Sequence, residues 1–328
     1  MNTIKFECEI ITPMFLAGAD GKTPELRPPS IKGAMRFWWR AMGGHLPPEE
    51  LKKKESEIFG GSGEREGRSK FSIRIKSQEL YSSKDKLPDH PIIVRSSNKV
   101  FRINILEYLC YGTYEYQRKN GNVFTRDYIK SGEKVSVFVS CYSEIVNEVK
   151  SSFELLSTFG GLGSRSRNGF GSFKIQSIGS ESDNFYSNLE KSSYTSNLPK
   201  YSAFSQGIRL WKTKQFDKWD DALAELGVVY KNARNKLEAK YVYDKKQYIA
   251  SPIIVGKIQK SIMERRAKPY FMSVHNENNK YIGYMLHIPS EYAYGKEKID
   301  NTKETKNFIK VCKEFNDILS KNLKEAIL

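Results

Sequence analysis

An α+β fold, in which antiparallel sheets carry helices on one face, is predicted by two features of the sequence. Three segments of the first half alternate apolar and polar residues with a period of two, which is typical of strands with one buried face. Helical segments lie between them, and helices packed on one face of an antiparallel sheet favour a ferredoxin-like unit. The predicted strands are Ile4–Ile10, Phe71–Ile75 and Val135–Cys141, and the predicted helices cover about 30–42, 48–59 and 143–158.

The second half repeats this mixture after a serine-rich, polar stretch at about 180–199, where we place a domain boundary. We therefore predict two domains, residues 1–180 and 181–328, the second being a degenerate copy of the first. Its last helix is predicted by one apolar stripe at helical spacing. The predicted elements are a strand at Ile208–Trp211, a helix at Trp219–Leu237, strands at Ile253–Ile258 and Tyr281–Ile288 joined through an Asn/Lys-rich turn, and a helix at Phe308–Leu319.

The chain is strongly basic. Its 328 residues include 54 Lys and Arg against 38 Asp and Glu, a formal net charge of +16, which favours polyanions such as nucleic acid. A highly soluble, lysine-rich protein is the alternative explanation of the charge. The sequence has no long apolar run, so no membrane span is expected. Four cysteines lie far apart without a Cys-x-x-Cys pair, and we expect a cytoplasmic protein with no metal site, disulfide framework or cofactor.

A glycine-rich loop, Phe159–Ser172, connects a predicted helix to a strand-like segment and is therefore expected to be an ordered turn. Its glycines permit tight folding and the close approach of another polymer. Two arginines lie among them without an acidic neighbour, and guanidinium groups beside exposed backbone N–H groups suit a phosphodiester chain. The candidate RNA-binding positions of the loop are Gly161, Gly163, Ser164, Arg165, Ser166, Arg167, Asn168 and Gly169.

The first predicted helix is basic on one side. Pro28-Pro29 keeps the preceding chain extended, and Ser30 is the expected N-cap. At about 100° per residue, three cations share one face with a tryptophan at its edge, while Trp38 lies opposite in the core. Such a ridge suits phosphates, and its tryptophan suits base stacking, although an ordinary solvated face is the alternative. The candidate positions are Lys32, Arg36, Trp39 and Arg40.

The segments Ile11–Asp20 and Arg27–Arg40, together with the glycine-rich loop, resemble the repeat-associated mysterious proteins (RAMPs) of CRISPR systems. The resemblance implies two ferredoxin-like (RRM-like) domains and a non-catalytic subunit of a type III-B (Cmr) antiviral effector complex. It also implies contacts with guide or target RNA near the 3′ end of the guide, and contacts with other Cmr subunits. Lys32, Arg36 and Arg40 and the loop around Arg165 and Arg167 are the RNA-facing positions that it implies.

Two other functions stay open on the sequence. Some RAMPs cut RNA, and Arg40 and His45 match an Arg-x4-His pattern in which histidine is a general acid or base, so an endoribonuclease using His45 is one alternative. A scaffold that contacts only proteins is another. Asp220 and Asp221 look like a metal pair, but acids at the start of a helix more simply satisfy its free N–H groups.

Overall fold

The computed structural model describes residues 1–61, 63, 67–76, 80–96, 99–178 and 195–327. The elements of the first half follow in chain order. They are Asn2–Ile10 (β1), Pro28–Met42 (α1), Pro48–Phe59 (α2), Phe71–Lys76 (β2), Ser82–Ser83 (β3), Pro91–Ser96 (β4), Lys99–Asn104 (β5), Ile105–Leu109 (α3), Tyr114–Gln117 (β6), Gly121–Phe124 (β7), Tyr128–Ile129 (β8), Lys134–Cys141 (β9), the 3-10 helix Ser143–Ile145, Val146–Phe159 (α4) and Phe173–Ile178 (β10).

Four of these strands form the first sheet, in the order β10-β1-β9-β2, and each neighbouring pair is antiparallel. Ranked by their order in the chain, the strands lie 4-1-3-2, and α1 and α4 provide the two crossovers, which is the ferredoxin-like arrangement. Side chains of β9 alternate between buried and partly exposed along the strand. The prediction of an antiparallel sheet with one covered face is therefore confirmed for the first half.

Helix α1 begins two residues earlier than predicted. Its N-cap is Arg27, and Pro28 and Pro29 occupy the first turn, where a missing backbone N–H leaves no hydrogen bond unmade. The expectation that Ser30 is the N-cap is therefore wrong. The prediction for Trp38 is confirmed, because its side chain is only 2% exposed and packs near Phe159 of α4.

The second half contains another sheet and its own helices. In chain order its elements are Arg209–Phe216 (β11), Trp219–Lys236 (α5), Lys246–Ile249 (α6), Ile254–Val255 (β12), Ile258–Gln259 (β13), Tyr270–Glu277 (β14), Lys280–His287 (β15), Asn301–Ser320 (α7) and Lys324–Ala326 (β16). The sheet order is β14-β15-β11-β16, and α5 and α7 are the crossovers. Ranked along the chain this is again 4-1-3-2, so a second ferredoxin-like unit is confirmed.

The hairpin of the second sheet differs from the prediction. The strand that joins β15 through a tight turn is β14, with Asn278 and Asn279 in the left-handed conformation, whereas the segment predicted at Ile253–Ile258 contributes to a separate small hairpin, β12–β13. β14 was missed because its first five residues are all buried, so the sequence does not alternate.

The two halves share their cores. Phe271, Ile282 and Tyr284 of the second sheet join the apolar cluster that contains α1 and α4, whereas Tyr270 and Met272 join the cluster that contains α5 and α7. The second sheet is thus covered by its own helices on one face and by helices of the first half on the other. The prediction had helices on one face of each sheet, whereas the second sheet is covered on both faces. The glycine-rich loop lies where the two halves meet, which we call the seam.

Residues 80–131, inserted between β2 and β9, form small hairpins and α3, none of which was predicted. β4 pairs with β5, and β6 pairs with β7. Helix α3 packs on α5 where Gly227 brings the two helices together, since a Cβ there would lie 2.8 Å from Ile105 and Leu109. The insertion therefore reaches the second half.

The predicted domain boundary, between residues 180 and 181, lies outside the described residues. Among the helices that the structure describes, none combines the length and apolarity needed to cross a bilayer.

Candidate nucleic-acid interface

The glycine-rich loop is an ordered turn held between β1, α4 and β14. Gly171 donates its N–H to the carbonyl of Pro13, and Ser164 donates to the carbonyl of Phe15, at 2.9 and 2.8 Å. At its far side, the N–H of Met272 in β14 donates to the carbonyl of Arg167 at 3.1 Å. The loop therefore links the segment that follows β1 to the beginning of β14 in the second half.

Glycine is required at the closest approaches of this loop. Gly171 has a φ of +68°, and a Cβ there would lie 1.9 Å from the carbonyl oxygen of Leu162. Gly169 has a φ of +87°, and a Cβ there would lie 2.4 Å from the side chain of Leu223 on α5. Gly169, a candidate RNA-binding position, therefore serves the contact between the halves, and Gly171, which was not a candidate, serves the turn itself.

Arg167 is largely buried at the seam. Its guanidinium donates to the carbonyl of Lys268 at 2.7 Å and lies 4.3 Å from the ring centre of Phe271 and 5.2 Å from that of Phe37. Burial first, and the nearby charge of Arg266 second, lower its pKa to about 10. Asn168 is similarly engaged, because its side-chain amide donates to the carbonyl of Leu109. Neither side chain is free to reach an RNA strand without breaking these contacts.

Arg165 is the exposed arginine of the loop. It adopts a φ of +63° and its guanidinium lies over Gly112, 2.5 Å from the position that a Cβ would take there. Its side chain makes no hydrogen bond or ion pair within the described part of the chain. A guanidinium with its donors unoccupied is suited to a phosphate oxygen.

Two cations of the second half, Lys268 and Arg234, share an electrostatic environment with Arg165, because the charges of Arg165 and Arg234 both act on Lys268. Lys268, just before β14, has its ammonium buried 4.6 Å from the ring centre of Tyr230, and Arg234 follows Tyr230 by one helical turn of α5. Neither Nζ of Lys268 nor Nε of Arg234 has a hydrogen-bond partner. Burial, followed by the charges of Arg167, Arg234 and Arg165, lowers the pKa of Lys268 well below its usual range. We call Arg165, Arg234 and Lys268 the seam cations.

Arg234 and Lys268 were not predicted from the sequence. Both are isolated basic residues in their segments, and the strand that positions Lys268 was not predicted. The one available signal was the alternation of Arg266 and Lys268 before Pro269, which is too short to distinguish from ordinary surface charge.

The cations of α1 are engaged by the protein itself. Arg36 and Arg40 both contact the carboxylate of Glu55 on α2, at 3.3 and 2.9 Å. Lys32 donates to the carbonyl of Phe71 at 2.9 Å, and its burial, with the charge of Arg36, lowers its pKa. The expectation of a free cationic ridge is therefore wrong, because α2 and β2 pack against this face. Arg36 still lines an open cavity of about 800 Å³ together with Lys52.

Trp39 is not available for stacking. Its side chain is 7% exposed and meets Phe59 of α2 edge-on, with ring centres 5.9 Å apart. The expectation that this indole lies at the edge of an open basic face is wrong for the same reason: α2 covers it. Phe37, about 100° around α1 from Arg36, faces Arg167. The basic face and the loop therefore meet different sides of α1.

The candidate catalytic histidine and the paired aspartates lie outside the glycine-rich loop. His45 is exposed beyond the end of α1, five residues after Arg40, whose guanidinium Glu55 holds. His90, before β4, lies 2.7 Å from Asp220 and 4.0 Å from Asp221 on the first turn of α5. Each of these three side chains offers one possible metal-ligating atom, and the three atoms lie within 4.8 Å of one another. Their contact joins the insertion to α5, which the sequence did not predict.

Comparison with known proteins places this architecture in a family. The sequence model of the RAMP superfamily matches residues 7–174, which include the end of β1, the basic helix α1 and the glycine-rich loop. The chain belongs to the RAMP superfamily. This confirms the resemblance seen in the sequence.

Two curated relatives of this RAMP protein come from Pyrococcus furiosus. One, "CRISPR system Cmr subunit Cmr1-2", is 32% identical over 187 residues, which are 53% of this chain and 95% of that protein. The other, "CRISPR system Cmr subunit Cmr1-1", is 32% identical over 182 residues, which are 54% of this chain but only 48% of that protein. The RAMP protein is thus similar to the first-numbered subunit of Cmr systems.

Solved structures share the fold of this RAMP protein over nearly its whole length. The apo crystal structure of Cmr1 from Pyrococcus furiosus superposes with a TM-score of 0.58 at 21% identity, covering 99% of this chain and 98% of the other. A chain of the type III-B Cmr-β complex bound to cognate target RNA superposes with a TM-score of 0.51 at 12% identity, covering 95% and 99%. These likenesses support the assignment of two ferredoxin-like units.

Proposed function

We propose that this RAMP protein is a non-catalytic, RNA-binding subunit of a type III-B Cmr antiviral effector complex. In this role it contacts guide or target RNA near the 3′ end of the guide and assembles with other Cmr subunits. The similarity to two Cmr1 proteins supports the complex. The net charge of +16 supports a polyanionic partner.

The exposure of Arg165 on an ordered loop is the observation that supports RNA binding. It is the exposed cation of the loop, and the surrounding backbone is fixed by hydrogen bonds to β1 and β14. Because that backbone is already fixed, only the side chain of Arg165 is ordered on binding, and its guanidinium breaks no intramolecular hydrogen bond or ion pair to reach a phosphate. Of the other loop candidates, Ser164 and Ser166 lie beside Arg165 and contribute through that position.

The placement of the histidines supports the non-catalytic part of the proposal. His90 is held by Asp220, His275 by the carbonyl of Thr158, and His287 is buried against Tyr270. His45 is exposed, and Arg40, the other member of the Arg-x4-His pattern, is bound to Glu55. General acid–base cleavage of RNA needs a base and an acid that converge on one ribose-phosphate, and the described histidines do not bring such a pair to the loop.

The test is RNA binding and RNA integrity measured on the same samples. A labelled single-stranded RNA with a guide-repeat sequence is titrated with wild type and with Arg165→Ala, and fluorescence anisotropy gives the affinities. We expect Arg165→Ala to bind about tenfold more weakly at low salt and to reduce the salt slope by about one unit. Arg209→Ala, which removes another exposed arginine, should bind like wild type.

Gel analysis of the same mixtures, with and without Mg²⁺, should show intact RNA. Cleavage that disappears in His45→Ala would overturn the non-catalytic assignment in favour of the endoribonuclease. Equal RNA affinity of wild type and Arg165→Ala, combined with normal assembly with Cmr partners, would favour a scaffold that contacts only proteins.

A further inference from the structure

The seam between the halves concentrates positive charge without compensation. Arg165, Arg167, Arg234, Arg266 and Lys268 all lie there, and none of them forms an ion pair within the described residues. Burying like charges together, with donors unsatisfied, opposes folding. Native chains keep such arrangements where a ligand compensates them.

The five cations divide into two groups by their contacts. Arg167 and Arg266 are anchored: the first donates to the carbonyl of Lys268, and the second donates to the carbonyl of Tyr292 at 3.1 Å and lies 4.3 Å from the ring centre of Phe308. The seam cations keep free donors, because Nζ of Lys268 and Nε of Arg234 have no partner and Arg165 is exposed. The free donors belong to both halves of the chain.

One carboxylate in the electrostatic environment of Arg165, that of Glu107, does not neutralise the site. Glu107 of α3 influences Cys110 and Tyr114, which Arg165 also influences, but its carboxylate accepts from the amide of Asn122 at 2.6 Å. It forms no ion pair with Arg165. The donors of Lys268 and Arg234 are therefore open to an anion from outside the described chain.

We propose that the seam cations form a built site for a backbone phosphate of RNA, with Arg234 of α5 and Lys268 before β14 as binding residues beside Arg165. This rests on the proposed function and extends its surface from the glycine-rich loop to the second half. The oxygens of a phosphodiester accept from the guanidinium groups of Arg165 and Arg234. Its negative charge offsets the buried ammonium of Lys268 through space, since the low-dielectric surroundings strengthen that attraction.

Tyr111 favours RNA over an acidic peptide as the source of the anion. Its ring is 70% exposed and it precedes Gly112, over which the guanidinium of Arg165 lies. An exposed aromatic ring beside a phosphate-binding cation is a stacking surface for a base, whereas a carboxylate side chain has no ring to stack on it.

The binding test compares Lys268→Met and Arg234→Met with wild type on a labelled, single-stranded RNA 20-mer. We expect each variant to weaken binding by about tenfold and to lower the salt slope by about one unit, uniformly across RNA sequences. Lys313→Met, which removes an exposed charge from α7, should bind like wild type and serves as the control.

A stability readout separates a ligand site from a merely structural one. Replacing the buried ammonium by an apolar chain of similar length should raise the melting temperature of free Lys268→Met by about 2 °C, because an uncompensated charge is removed. RNA should raise the melting temperature of wild type and raise that of Lys268→Met much less. A structural lysine would give the opposite result, a lower melting temperature for the variant.

The outcomes distinguish this inference from the proposed function. If Arg165→Ala weakens RNA binding but Lys268→Met and Arg234→Met bind like wild type, the seam site is wrong and the proposed function stands. If wild type does not bind the RNA, but pyrophosphate raises its melting temperature and not that of Lys268→Met, the anion site stands and the proposed function is wrong. Should Lys268→Met fail to fold, wild-type affinity in Arg234→Met would by itself reject the seam site.

Discussion

Arg165 and Arg167 are separated by one serine, yet the fold gives them different surroundings. The loop pairs with β14 next to Arg167, so its guanidinium enters the aromatic contacts of Phe37 and Phe271. Arg165 instead lies over Gly112, which has no side chain to exclude it. The sequence predicts the charge of both arginines, but their exposure depends on Lys268 and its neighbours, 101 positions away. Because of that distance, local sequence does not distinguish the two arginines.

At the residue scale, Gly171→Ala should be severely destabilising. The new methyl would lie 1.9 Å from the carbonyl oxygen of Leu162, with backbone rather than a flexible side chain in its way, and φ is +68°. We expect a loss of more than about 3 kcal/mol in the free energy of unfolding, measured by urea denaturation.

Gly132→Ala is the matched control. Its φ is +91°, but nothing lies within 4 Å of the added Cβ, so only the conformational cost of about 1 kcal/mol remains. Similar losses for the two variants would show that the close approach at Leu162 is not what requires glycine in the loop.

At the element scale, one carboxylate joins the first two helices. Glu55 of α2 lies between Arg36 and Arg40, one helical turn apart on α1, and its side chain is only 16% exposed. The helical wheel predicted that these arginines share a face. It did not predict α2 as their partner, because the packing of one helix on another depends on the intervening loop and on Phe59, not on the periodicity of either helix.

Glu55→Gln should weaken the contact between α1 and α2. Two charge-assisted contacts are lost, and since both arginines are about one-third exposed, we expect a loss of about 1 kcal/mol in the free energy of unfolding. Urea is the appropriate denaturant because it does not screen charge. Glu50→Gln on the same helix, whose pair with Lys54 is about half exposed, should change the free energy of unfolding much less. Equal effects would mean that Glu55 is an ordinary surface charge.

Most of the elements that the sequence predicted have one buried face; β15, predicted at Tyr281–Ile288, is an exception, because its last six residues are all buried. The strands β1, β2 and β9 and the helices α1, α2 and α7 show a clean period because one side of each meets solvent or a polar layer. β14 is apolar on both sides, and the short strands of the insertion bury little, so periodicity carried no signal for either. The candidate site followed the same rule: its loop was predicted, but the cations that β14 and α5 contribute were not.

At the scale of the whole molecule, acid should destabilise the fold through its buried histidines. Burial, and then the charges of Arg266 and Arg209, lower the pKa of His287 to about 3. In the unfolded chain, His287 binds a proton below its ordinary pKa of 6.5, whereas in the folded chain it does so only below about pH 3. The free energy of unfolding therefore falls as the pH is lowered from 6.5 towards 3. His275 acts in the same direction, since burial lowers its pKa too.

The expected loss from His287 alone is about 2 kcal/mol in the free energy of unfolding between pH 7 and pH 5. Urea denaturation at both values measures it. His287→Gln removes this titration while keeping a polar partner for Asn316, so its stability should depend less on pH than that of wild type. An unchanged pH dependence in the variant would show that His287 is not responsible.

The second sheet has a consequence for how the two ferredoxin-like units can change over evolutionary time. An independent domain ordinarily diverges on its own, but successive residues of β14 belong to different clusters, Phe271 with α1 and α4 and Met272 with α5 and α7. A substitution in this strand is accepted only if both units tolerate it. Divergence on either side must therefore be matched by the other, and exchanging one unit for that of a distant relative would break a partnership formed along this strand.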